Sequence, residues 1–259
     1  MKIVGDFDLD WTHIDNLFSK KIADRVAQSK GETIIVEATI YDIIVEVKKQ
    51  NLQAIRLLDF FNKLLLKLSQ LLTDTEKKLI KRNIRNFLTT LDKGYLNFVG
   101  ELAVLNNLIE SKDYRLEDVE VKLPNKKTID FKLKKVKDEN FILVEIVNIH
   151  LDSNRIETEE EKIRKFFTDR MTQKINSKKI NLSSDIKFFL VPVLWGTAAD
   201  LKIYSDYFKK NKMHIQNVIE PFSYLTFADP NDDYFVLHRF WSVSNMFNSD
   251  NLQQTITTK

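Results

Sequence analysis

The chain contains no cysteine, which excludes disulfides, thiolate metal sites and cysteine nucleophiles, and nothing ties it to an oxidising compartment. Glycine and proline are scarce, five and four in 259 residues, which argues against long disordered or collagen-like tracts. Long apolar runs are missing too. The most apolar stretch, Leu57 to Leu72, is interrupted by Asp59, Asn62, Lys63 and Lys67, so no membrane span is expected. The segment MKIVGDFDLDWTH carries acidic residues where a secretion signal needs an apolar run, and the expected location is the cytoplasm. Neither charge dominates: a net charge of +3 is too small to point at nucleic acid by itself. There is no Gly-rich phosphate loop, His-Glu-x-x-His motif or nucleophile elbow.

What is present is ordinary for a folded chain, 43% hydrophobic and 30% charged residues, and long enough to bury a real core. From Trp11 to about Leu91 the apolar spacing is helical, as in Ile40, Ile43, Ile44 and Val47, then Ile55, Leu58, Phe61, Leu65, Leu68 and Leu72. The β-branched run TIIVEATIYDIIVEV leaves a hairpin open as an alternative there. Thr73-Asp74-Thr75-Glu76 has capping-box spacing and starts a helix running to about Leu91. That helix has a basic outer face, Lys77, Lys78, Lys81, Arg82 and Arg85. It is either a solvated face or a surface for phosphate contacts, with Lys77, Lys81 and Arg85 as the nucleic-acid candidates.

After Gly94 the pattern changes. A helix from Tyr95 to Ser111 precedes the strand-like runs LEDVEVKL, KTIDFKLKKV and NFILVEIVNIHL. A helix from Glu157 to Lys178 follows, with Glu157, Glu159, Glu160 and Glu161 at its positive end. DIKFFLVPVLWG reads as a strand buried on both faces, and Ala198 to Asn211 as a helix. YFVLHRFW reads as one more strand, and NSDNLQQTITTK as a tail that frays. The expected division is an α-helical region over 1–93, an α/β core with a mixed sheet over 94–215, and a C-terminal extension over 216–259.

Three acidic residues stand where packing asks for something else. Glu101, three residues after Phe98 and four before Leu105, lies at the edge of a buried helical face. Asp130 is in mid-strand in TIDFKL, and Glu145 is embedded in FILVEIV. A carboxylate inside such a strand costs several kcal/mol unless paired, protonated or bound to a cation. A lysine partner and a hard divalent cation are both open solutions.

The order αβββαβ with acidic residues at these positions resembles the core of the PD-(D/E)XK nucleases, the restriction-endonuclease-like group, over roughly Gly94 to Gly196. Asp130 falls at the second-strand acidic position, Glu145 at the third-strand (D/E)-x-K and Glu101 on the first helix; Gly100-Glu101-Leu102 adds to the likeness. The third-strand lysine is missing, since Val147 stands there. The resemblance implies a metal-dependent DNA endonuclease, in which Glu101, Asp130 and Glu145 hold Mg²⁺ or Mn²⁺ and act on a phosphodiester. A role in restriction or antiviral defence goes with it. Two substitutes for the lysine follow from geometry. Lys132 shares a strand face with Asp130 beside the strand of Glu145. Arg170, Lys174 and Lys178 form an i, i+4, i+8 row on the long helix, as a solvated edge or a source of cations for the acidic cluster and for phosphate. His150 points away from Glu145 by alternation. His13, His214 and His238 are isolated.

The expected partner is therefore nucleic acid, DNA before RNA, with a second copy of the chain as a further candidate and no membrane. The alternative is a catalytically inactive nuclease-like module that binds DNA or a protein partner, for which Val147 is the best support. A helical-plus-sheet interaction protein with Glu145 salt-bridged is the third reading.

Overall fold

The computed structural model describes residues 2–34, 36, 38–138, 140–151, 158–179, 187–213, 215–228 and 236–248. Glu157, His214 and all but Asn248 of the expected tail lie outside them. The chain divides into two units, Met1–Val119 and Glu120–Lys259.

The first unit is built from α1 (Trp11–Gln28), α2 (Ile40–Lys48), α3 (Leu52–Leu71), α4 (Asp74–Thr89) and α5 (Tyr95–Glu110). Short polar side chains start the first four. The side chains of Asp10 and Asn51 accept the N–H groups of His13 and Ala54, satisfying donors that no helical carbonyl reaches. Thr39 with Asp42, and Thr73 with Glu76, form reciprocal capping boxes. The first of these decides the β-branched run: the hairpin alternative does not form, and Ile40–Lys48 is helical from its cap onward.

Phe61 and Leu65 of α3, Ile84 and Phe87 of α4, and Leu102 and Leu105 of α5 are buried together with their neighbours along each helix. Phe61 meets Phe87 edge-on at 5.2 Å. Because Leu102, Ala103, Val104 and Leu105 are buried in succession, α5 is apolar on more than one side and needs helices around it. It packs against α3 and α4, so the first unit extends well past the boundary expected at residue 93.

Glu76 is buried and fully used. Its Oε2 accepts from the Thr73 backbone and hydroxyl, both at 2.7 Å, and its Oε1 accepts the Leu116 N–H at 3.1 Å. Thr73→Ala removes the hydroxyl but leaves Glu76 in place, so a loss of about 1 kcal/mol is expected. A urea midpoint indistinguishable from the wild type would show that this cap contributes nothing.

Strand β1 (Tyr114–Lys122) crosses the division between the units, with Glu120 at a φ of 48°. The second unit continues with β2 (Thr128–Lys135), β3 (Phe141–His150), α6 (Glu160–Lys179), β4 (Lys187–Trp195), α7 (Ala198–Lys210), β5 (Phe222–Ala228) and β6 (Val236–Ser242). The sheet order is β1-β2-β3-β4-β5-β6. β2 and β3 are antiparallel, β3–β4 and β4–β5 parallel, and β5 and β6 antiparallel. The protein is thus α/β, with seven α-helices and a mixed six-stranded sheet among the described residues. Two strands follow α7 where the sequence reading expected one, and both extend the sheet.

Parallel pairs need crossovers, which α6 and α7 provide. Ile163, Phe167 and Met171 of α6 and Leu201, Tyr204 and Phe208 of α7 share one core with Val147 and Ile149 of β3 and Leu190 and Leu194 of β4. Both helices therefore cover the same face of the sheet. No helix among the described residues is long and apolar enough to cross a membrane.

Candidate functional site

The sheet register brings Asp130 and Glu145 together. Phe131 pairs with Val144 across the antiparallel β2–β3 ladder, so the next position outward sets Asp130 opposite Glu145 on the same face. Asp130 is half-buried, and its Oδ2 accepts the Ile146 N–H at 2.6 Å. Glu145 is only 3% exposed. It shares its strand face with Val147 and Ile149, whose apolar side chains pack under α6.

Helix α6 supplies the cations. Glu145 Oε1 lies 2.8 Å from Lys174 Nζ and 3.0 Å from Lys178 Nζ, which project one turn apart. The two lysines differ in surroundings: the Lys174 side chain is 36% exposed and that of Lys178 only 11%. Lys178 also donates to the Thr128 carbonyl at the start of β2. The other oxygen, Glu145 Oε2, is buried with no hydrogen-bond partner among the described residues.

Burial is the main influence on Asp130, and the neighbouring Glu145 charge adds to it. Together they outweigh the Ile146 N–H, Lys178 and Lys174 and push the Asp130 carboxyl up to about 7. The folded chain therefore holds a proton that the unfolded chain releases near the ordinary value of 3.8. Asp130 contributes stability that is complete below that value and lost as the pH rises through about 7. Replacing it with Asn should leave a variant whose stability declines less than the wild type's between about pH 4 and 7. Parallel pH profiles of the two urea midpoints would contradict the assignment.

The remaining candidates are distributed elsewhere. Lys132 pairs with Leu143 rather than lying beside Glu145, and its Nζ sits 4.0 Å from the Phe141 ring centroid. Glu101 belongs to the first unit, where its Oε2 accepts from Asn83 Nδ2 at 2.9 Å. Among the described residues no three His, Asp or Glu side chains gather so as to hold a metal ion. Arg170 lies over the Phe166 ring, at 6.0 Å. His150 stacks on Trp195, and burial followed by the Arg170 charge lowers its pKa.

On the basic helix, Lys77 pairs with Asp74 at 3.2 Å and Lys81 with Asp8 at 2.6 Å. Arg85 is half-buried on that helix, and its charge adds to burial in lowering the pKa of Lys21. The sequence names Lys178 only as the last member of the Arg170, Lys174 and Lys178 row, and the structure makes it one of the two partners of Glu145. The signal for Lys178 was its place one turn after Lys174 in a row flanking the apolar stripe of Ile163, Phe167 and Met171.

A buried carboxylate gripped by two ammonium groups, facing a second carboxyl that titrates near neutrality, can exchange protons, hold a cation between its oxygens or remain a closed ion-pair cluster. No protein family, curated protein or solved structure matches this chain.

Proposed function

We propose that the chain is a divalent-metal-dependent phosphodiesterase of the PD-(D/E)XK kind acting on DNA, in which lysines of α6 stand in for the third-strand lysine that Val147 replaces. The observation that carries this reading is the cluster itself: Asp130 opposite Glu145 on adjacent strands, with Lys174 and Lys178 at 2.8 and 3.0 Å from Glu145. The chain order α5-β1-β2-β3-α6-β4, with an antiparallel β2–β3 pair and a parallel β3–β4 pair, agrees with the αβββαβ core.

The donor set fits a hard cation. Two carboxylates would supply oxygen ligands, and Glu145 Oε2 is a buried acceptor with no hydrogen-bond partner among the described residues. Mg²⁺ and Mn²⁺ prefer such oxygens and keep waters on their remaining positions. Held by Asp130 and Glu145, the cation would neutralise charge on the phosphate and acidify a water. Lys174, the more exposed ammonium, can meet the non-bridging phosphate oxygens as charge develops on them. Lys178 is tied to Glu145 and the Thr128 carbonyl, and so fixes the direction in which Glu145 points.

Cation binding requires Asp130 to lose its proton, so affinity rises with pH through about 7. Adding Mg²⁺ or Mn²⁺ should raise the thermal midpoint, more at pH 8 than at pH 6, and Asp130→Asn should abolish the rise. A midpoint that ignores both metals at both pH values would remove the cation from this reading.

One observation favours a second reading. Lys174 and Lys178 already neutralise Glu145, as expected in an inactive nuclease-derived module that binds DNA or a protein. Such a module would show neither the metal shift nor cleavage.

A further inference from the structure

The second unit carries a cleft that the proposed phosphodiester chemistry does not use. It lies between the N-terminal half of α6 and the C-terminal end of α7 and measures about 590 Å³, within the range that takes a small organic ligand. Three aromatic rings belong to its lining: Phe167 and Phe208 meet edge-on with centroids 5.1 Å apart, and Tyr207 stands edge-on to Phe208 at 5.0 Å. Three cations line it, Arg164, Lys210 and Lys212.

The cations are available. Arg164 and Lys210 contact Glu161 and Glu160 at 2.5 and 3.7 Å, but all four side chains are more than 60% exposed. Solvent and salt screen such exposed pairs, so a bound anion can compete for either cation, against Glu161 held through two nitrogens of Arg164 and Glu160 beside Lys210. Lys212 is exposed and makes no ion pair among the described residues. Burial raises the Tyr207 pKa, the Arg164 charge lowers it, and the Glu160 and Glu161 charges raise it again, for a net rise. Its hydroxyl is a donor in the lining of the cleft.

A lining that combines aromatic rings with exposed cations suits a flat ring system carrying a negative charge. We propose that this cleft binds a small aromatic phosphate of the nucleoside monophosphate class. The site is separate from Asp130 and Glu145 and does not depend on the phosphodiesterase reading. Both sites involve α6, however: Arg164, Phe167 and Thr168 line the cleft, and Lys174 and Lys178 reach Glu145.

The test is calorimetric titration of the full chain with adenosine 5′-monophosphate in the presence of a chelator, so that no metal-bridged binding contributes. One molecule should bind per chain. Adenosine and inorganic phosphate, each carrying half of the recognised chemistry, should bind at least about 10-fold more weakly. Lys212→Glu, a change at an exposed position, should weaken binding at least about fivefold, and Thr168→Trp should block the cleft. Asp130→Asn should leave the affinity unchanged. Several results would overturn the proposal: no saturable binding to the wild type, inorganic phosphate binding as tightly as the nucleotide, full affinity in Lys212→Glu, or loss of binding in Asp130→Asn.

Discussion

Lys178→Met should lower the unfolding free energy by about 3–5 kcal/mol, because it strips one of two ammonium groups from a carboxylate that water cannot reach. Glu145 is 3% exposed and its Oε2 has no hydrogen-bond partner among the described residues, so the charge depends on Lys174 and Lys178 at Oε1. Methionine fills similar volume, which keeps lost packing out of the comparison. It also leaves the Thr128 carbonyl without its ammonium donor. Lys174→Met should cost less, since that side chain is 36% exposed and solvent screens what it contributes.

The companion variant separates a buried charge from a general packing defect. Replacing Glu145 by Leu in the Lys178→Met background removes both the stranded carboxylate and its lost partner. Apolar replacement of a buried pair is often close to neutral, so the double variant should recover most of the loss. Urea midpoints of the two single variants and the double variant complete the cycle. A single-variant loss below about 1 kcal/mol, or a double variant as unstable as the sum of the singles, would contradict this description of the cluster.

The parts of the fold that were legible in the sequence are those fixed by local chemistry. Thr73 and Glu76 announced the start of α4 because a capping box needs only residues three apart. At α2 the sequence reading named no cap: Thr39 and Asp42 form one in the structure, where the β-branched residues around them had left a hairpin open. A single cap outweighs them because β propensity depends on a neighbouring strand to pack against. Strand β5 gave a weaker signal: Pro221 precedes it, and its ladder is completed by β6, which lies further along the chain. The first unit reaches past residue 93 because α5 packs on α3 and α4, a tertiary preference that no local pattern in α5 declares.

The candidate site divides the same way. Asp130 and Glu145 stood out as carboxylates in strand interiors, but that they lie opposite each other is set by the β2–β3 register. The identity of the cation needed the register. Lys132 shares a face with Asp130 but falls opposite Leu143, within reach of the Phe141 ring. The row on α6 was visible as an i, i+4 spacing, but only the packing of α6 across the sheet shows that Lys174 and Lys178 reach Glu145 while Arg170 lies by Phe166. Glu101 shows the opposite failure. Its place at the edge of a buried helical face was readable, and its hydrogen bond to Asn83 of α4 was not.

Stability and the proposed chemistry rest on the same atoms. In the proposed reading, Glu145 held only by lysines is a closed cluster and Glu145 shared with a cation is a working site, with loss of the Asp130 proton separating the two. The most direct measurement is cleavage of duplex DNA by purified wild type and Asp130→Asn, with and without Mg²⁺ or Mn²⁺, after confirming that both proteins are folded. Asp130→Asn removes the carboxyl proposed as a ligand but keeps the side chain's size and leaves Lys174, Lys178 and Glu145 in place. The phosphodiesterase account predicts cleavage by the wild type only when metal is present, and a rate at least about 100-fold lower in the variant. Absence of metal-dependent cleavage in the wild type, or equal rates in the two proteins, would contradict it.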